Sequence, residues 1–89
     1  MKRKESKDLA YYLSLNYEVV IRKMTAAESG VSTPPYIAQI PLIDGLVAEG
    51  QTPQKALENL EKVKRLAFQL MIDQGKSIPE PTFKELVMT

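Results

Sequence analysis

Apolar and polar positions alternate at two different periods along this chain. Over residues 17–24 the period is two: Tyr17, Val19 and Ile21 share one face of a strand, and Glu18, Val20 and Arg22 share the other. Residues 36–40 repeat the pattern with Tyr36, Ala38 and Ile40 on one face, and residues 46–49 form a shorter third run. Between the second and third runs, Pro41 cannot donate to a ladder and marks a strand end, and Asp44-Gly45 supplies a turn able to take positive φ. From Pro53 the period changes to that of a helix. Ala56, Leu60, Val63, Ala67, Leu70 and Met71 make one stripe about 100° wide, flanked by Leu57, Leu66 and Phe68.

The ends of this helix are written in the sequence. Thr52 is a good N-cap, Pro53 suits a first helical position whose N–H needs no partner, and Gly75 suits the residue after the C-cap. The spacing predicts a helix over residues 53–74. Its polar face carries Glu58, Glu61, Lys62, Lys64 and Arg65, with Glu58–Lys62 and Glu61–Arg65 as expected i, i+4 pairs. The apolar sector widens towards the C-terminal half and calls for a second packing partner, either the N-terminal segment or another subunit. Leu9, Tyr12 and Leu13 at i, i+3, i+4 predict a short amphipathic helix before the first strand.

Residues 25–35, ending in Pro34-Pro35, read as a long loop. Residues 1–7 read as a flexible basic tail. Residues 82–89 read as either a short edge strand or a one-turn helix, the latter because Thr82 and Glu85 have capping-box spacing. The expected fold is therefore one α/β (α+β) domain spanning 1–89: a small antiparallel three-stranded sheet packed on one long helix, in the order αβββα plus a short tail.

Composition narrows the chemistry. With 89 residues, the chain makes a single small core, and self-association is a natural supplement. Cysteine and histidine are both absent, which removes thiolate and imidazole metal ligands and the Ser-His-Asp and Cys-His nucleophilic arrangements. The formal charge of +1 gives no strong global field towards nucleic acid. No run approaches the roughly 18 apolar residues of a membrane span, and no secretory signal is recognisable, so a cytoplasmic protein is expected.

The order and spacing of Tyr17-Glu18-Val19-Val20-Ile21, Pro41, Gly45, Gly50, Thr52, Ala56, Asn59 and Ile78-Pro79-Glu80-Pro81 resemble the HicB-like antitoxin family. The resemblance covers residues 17–81. It implies a partial ribonuclease-H-like layout and a role in a toxin–antitoxin system. Such a module binds and neutralises a small RNA-cleaving toxin of HicA type, and it self-associates as a dimer or tetramer. The family's Leu-Pro-Gly-Cys turn stands here as Ile43-Asp44-Gly45-Leu46, the first hairpin loop is longer, and Lys55 replaces a common acidic residue. The family's additional DNA-binding domain is not expected within these residues.

A protein-binding role by steric masking is thus the first expectation, with no catalytic, cofactor-binding or metal-binding residue and no cofactor. Candidate contacts to a small basic partner are Glu28, Ser32 and Thr33 in the long loop, and Glu49. Candidate self-association residues are Val20, Leu66 and Phe68. Two alternatives are a stand-alone self-associating relative with a different protein partner, and a weak nucleic-acid-binding regulator acting through Lys2, Arg3, Lys4 and Lys7. A two-metal nuclease would have to draw on Glu18, Asp44 and Glu49, the acids near the sheet, and it is the least favoured.

Overall fold

The structure, a computed structural model, describes residues 7–81. The chain folds as α1 (Leu9–Leu13), β1 (Val20–Lys23), a one-turn α2 (Ala26–Ser29), β2 (Tyr36–Gln39), β3 (Val47–Gly50) and α3 (Pro53–Asp73). The strands form an antiparallel meander in the order β1-β2-β3. Apart from α2, this is the expected αβββα order. The readings made for residues 82–89 and 1–6 lie outside the described residues. Lys7 does not behave as tail: its ammonium pairs with Glu80 at 3.0 Å.

The sheet is a single layer covered on one face. Ala38 pairs with Ile21 on one side and Ala48 on the other, and Ala38 and Ala48 are buried beneath α3. Small residues along this line let the helix lie close. The closest approach is at Gly50. A methyl group there would fall 2.6 Å from the Lys55 carbonyl carbon and 2.8 Å from Ala56 Cα, and closer still to Ala56 N. The first turn of α3 therefore rests directly on the β3 backbone. Asn59 adds a second tie, its Nδ2 donating to the Glu49 carbonyl oxygen at 2.7 Å.

Both ends of α3 follow the expected capping. Thr52 accepts from Lys55 N at 3.0 Å, and Pro53 opens the first turn. At the other end Gly75 takes φ 72°, Gly75 N donates to Ile72 O, and Lys76 N donates to Met71 O, which together form a Schellman motif. The β2–β3 connection is more than a two-residue turn. Ile43 N bonds Ile40 O and Leu46 N bonds Ile43 O, so two turns follow each other, with Gly45 at φ 79° in the second.

The buried side of α3 keeps most of the expected stripe, since Ala56 and Leu60 are buried and Val63, Ala67 and Met71 pack against the core, but it is shifted. Ala56, Leu60, Lys64 and Phe68 face inward, whereas Leu70 is 55% exposed. The cause is α1, which docks beside the C-terminal half of α3 and so rotates the buried sector towards itself. Tyr12 meets the Phe68 ring edge-on at 6.1 Å, and Tyr17 lies 5.6 Å from it on another side. The second packing partner is thus the chain's own N-terminal helix. Lys64, placed by its charge on the solvated face, is buried, and its ammonium reaches Glu61 at 3.1 Å. The charge pairs on α3 form at i, i+3, Lys55–Glu58 and Glu61–Lys64, in place of the i, i+4 pairs expected.

Beyond α3 the chain runs back along the molecule. Ile78 is buried, Tyr17 Oη donates to Pro79 O at 2.6 Å, and Tyr11 Oη donates to Glu80 Oε1 at 2.8 Å. Burial pushes the Tyr17 phenol up to about 12. The Lys7 ammonium, then the Tyr11 hydroxyl, hold the Glu80 carboxyl below the usual carboxylate range.

Two substitutions test this packing. Gly50→Ala forces α3 off β3 and is expected to cost at least as much as an overpacked core substitution, about 1–3 kcal/mol. A Gly50→Ala protein as stable to urea as the parent would show that the contact is not tight. Phe68→Ala empties the site between Tyr12 and Tyr17 and is expected to lower unfolding stability by about 3–5 kcal/mol, read from chemical denaturation.

Candidate functional site

Strand alternation and the two pairing registers define the sheet face opposite α3. One row across it is Arg22, Ile37 and Glu49, and the next is Val20, Gln39 and Val47. Among the described residues no helix packs on these rows. Val20 and Val47 are 39% and 41% exposed, although each sits in a strand with apolar neighbours.

At one end of this face the β1–β2 connection folds over the sheet. Thr25 caps α2 and accepts from Glu28 N at 3.1 Å, while the Glu28 carboxylate accepts from Thr25 N at 2.8 Å. That reciprocal capping box turns part of the expected loop into a helical turn. Glu28 also receives both ends of the Arg22 guanidinium, at 3.0 Å and 2.9 Å, a bidentate pair that ties α2 to β1. Hydrogen bonding by Arg22, then by the Thr25 N–H, brings the Glu28 carboxyl from its ordinary 4.5 down to about 2.

Between this connection and the sheet lies an open recess of about 300 Å³. Its floor is Met24, Pro35, Glu49 and Gln51, which continue the parity of the uncovered face, and its wall is Glu28, Ser29, Val31 and Thr33. Glu28, Thr33 and Glu49, three of the four residues proposed as partner contacts, therefore come together. Ser32 is exposed in the same connection but does not line the recess. With Arg22 balancing Glu28, Glu49 leaves the recess with an acidic surplus. Arrangements of this kind suit a cationic side chain presented by another molecule.

The candidate self-association residues separate. Val20 is exposed on the uncovered sheet face, and Leu66, 71% exposed, stands on the outward side of α3. Phe68 is 0% exposed and packed inside this chain, so it is withdrawn as a surface residue: the ring fills the space that α1 closes against α3. Sequence reasoning missed Arg22 as the organiser of the recess. Thr25-Ala26-Ala27-Glu28 was the available signal, because capping-box spacing fixes where Glu28 points.

The acids near the sheet are dispersed. Glu49 belongs to β3, Asp44 to the second turn of the β2–β3 connection, and Glu18 to the lead-in to β1. Among the described residues, no group of three or more acidic side chains is placed to hold a metal ion. No helix among them is long and apolar enough to cross a membrane. Comparison of the chain with protein-family models, with curated proteins and with solved structures found no match.

The Arg22–Glu28 pair has a definite pH signature. The folded pKa of Glu28 lies below its unfolded value, so its stabilisation is complete above the ordinary 4.5 and is lost as pH falls through about 2. In an NMR titration the Glu28 carboxyl is expected to show its midpoint near 2 and to move up towards 4.5 in Arg22→Ala. A midpoint unmoved by that substitution would remove Arg22 as the cause.

Proposed function

We propose that this chain is a protein-binding module of antitoxin type that neutralises a small basic RNA-cleaving protein, HicA-like in character, by covering its RNA-contacting surface. The observation that carries the reading is the convergence of Glu28, Thr33 and Glu49 on one recess of the sheet face opposite α3. A toxin that grips RNA must present Lys and Arg side chains, and those groups fit an acidic recess of residue-sized volume. The mechanism is steric and electrostatic: the partner's cations are occupied and its RNA path is blocked, with no bond made or broken. The resemblance of residues 17–81 to the HicB-like family supports the same assignment.

The test is inhibition of RNA cleavage by any small basic ribonuclease found encoded beside this chain. The parent chain is expected to suppress cleavage when present in stoichiometric amount. Glu49→Arg, on an exposed position, is expected to weaken the complex at least tenfold, or about 1.4 kcal/mol, without changing the fold. A neighbouring ribonuclease that is neither bound nor inhibited would overturn the proposal, as would a complex indifferent to Glu49→Arg.

A further inference from the structure

We infer that the free edge of β3 is a strand-docking site: an extended segment of a protein partner, alternating cationic and apolar residues, pairs antiparallel with Val47–Gly50 beneath the overhanging side of α3. This extends the protein-binding reading from the recess to the adjacent edge, and it rests on that reading only in taking the occupant to be another protein.

Among the described residues β3 pairs with β2 alone, so its other edge is open. Backbone groups of an antiparallel strand turn alternately to its two sides. Ile40 N bonds Leu46 O and Ala38 pairs with Ala48, so by alternation Leu46, Ala48 and Gly50 turn to β2, while Val47 and Glu49 turn outward. The Glu49 carbonyl agrees, since it accepts from Asn59 of α3 at 2.7 Å. Val47 N–H, Val47 C=O and Glu49 N–H are left without a partner in the sheet, and an extended chain satisfies such a row directly. β1, at the opposite edge, carries Arg22 and Lys23, charges of the kind that discourage strand addition. β3 has neither a basic residue nor a proline.

The same Asn59 bond fixes which side of α3 hangs over this edge. Asn59, Val63, Leu66 and Leu70 recur at spacings of four, three and four, and so lie on that side. Leu66 and Leu70 are, among the described residues, the most exposed large apolar side chains. Beside them a groove of about 330 Å³ opens between Val63, Ala67 and Met71 of α3 and Ile43 and Leu46 of the β2–β3 connection. A strand added to β3 therefore finds an apolar shelf on its α3 side.

The charges define what the segment carries. Glu49 lies on the sheet face opposite α3, Asp44 lines the groove, and neither is in an ion pair among the described residues. Acid on both sides of the edge favours a basic segment. Because a strand alternates its side chains, the occupant presents lysine or arginine beside Glu49 and leucine-like groups towards Leu66, Leu70 and the groove. A lysine stem on the first face also covers Val47.

The probe is a short end-capped peptide alternating lysine and leucine, titrated into the full chain and followed by amide hydrogen exchange. Saturable binding below about 1 mM is expected. Exchange at Val47 and Glu49 is expected to slow roughly tenfold or more, with Ile21 and Lys23 on the β1 edge unchanged. N-methylating the peptide's lysines removes the N–H groups that an antiparallel strand turns to β3 and keeps every side chain; it is expected to weaken binding roughly tenfold or more. Val47→Pro, at an edge position that tolerates proline, is expected to do the same, and Leu70→Ser to weaken binding about threefold. Should Val47→Pro perturb folding, the methylated peptide decides. A parent that does not bind would overturn the inference, as would binding indifferent to N-methylation, or protection at the β1 edge instead. So would Val47 and Glu49 amides already protected in the free chain, because a second copy or this chain's own residues then cover the edge. The readout involves no ribonuclease. Peptide bound at the edge while no neighbouring ribonuclease is inhibited removes the antitoxin reading alone, and inhibition by a chain that does not take the peptide removes this inference alone.

Discussion

The close approach of α3 to β3 at Gly50 is the constraint on which the rest of the structure depends. Where a side chain would have held helix and strand apart, their backbones meet, and the meeting fixes the axis of the longest element over β2 and β3. Ala56 and Leu60 are fully buried as a direct result, and Ala38 and Ala48 are the right size to lie beneath them. Because α3 is pinned at its N-terminal turn, its far half projects beyond the sheet. That overhang is what α1 and the returning segment around Ile78 pack against, and Phe68 is the side chain on which they converge.

The placement also decides which surface is left for other molecules. One helix can cover one face of a three-stranded layer. The opposite face leaves Val20 and Val47 exposed, and among the described residues the β1–β2 connection is what reaches over it. The bidentate Arg22–Glu28 pair ties that connection to β1 at the edge of the recess. The recess at one end of that face is the surface on which the proposed protein-binding role rests.

Much of the architecture was legible in the sequence because it rests on local signals. Period-two runs located the strands, although the first, read over residues 17–24, is strand only over Val20–Lys23; Thr52-Pro53 and Gly75 gave the ends of α3, and its excess apolar width announced a second neighbour. What was not legible depends on distant placement. Counting apolar residues put Leu70 in the buried stripe and Lys64 outside it. The reverse holds, because α1 docks on the Phe68 side and a lysine stem can be buried while its head reaches Glu61. The capping box at Thr25 and Glu28 was readable and was passed over for the composition of the surrounding loop. The recess could not have been read, since Glu28 and Glu49 converge only through the strand register and the fold of the connection across the face.

The Lys7–Glu80 contact joins residues 73 positions apart, and Tyr11 reaches the same carboxylate. Five residues are too few for α1 to persist by itself, so its order is borrowed from Phe68 and Glu80. During synthesis the ribosome delivers this segment well before the surfaces that hold it. α1 is therefore set only after the elements that hold it have been delivered: until then Tyr12 lacks Phe68 and Tyr11 lacks Glu80.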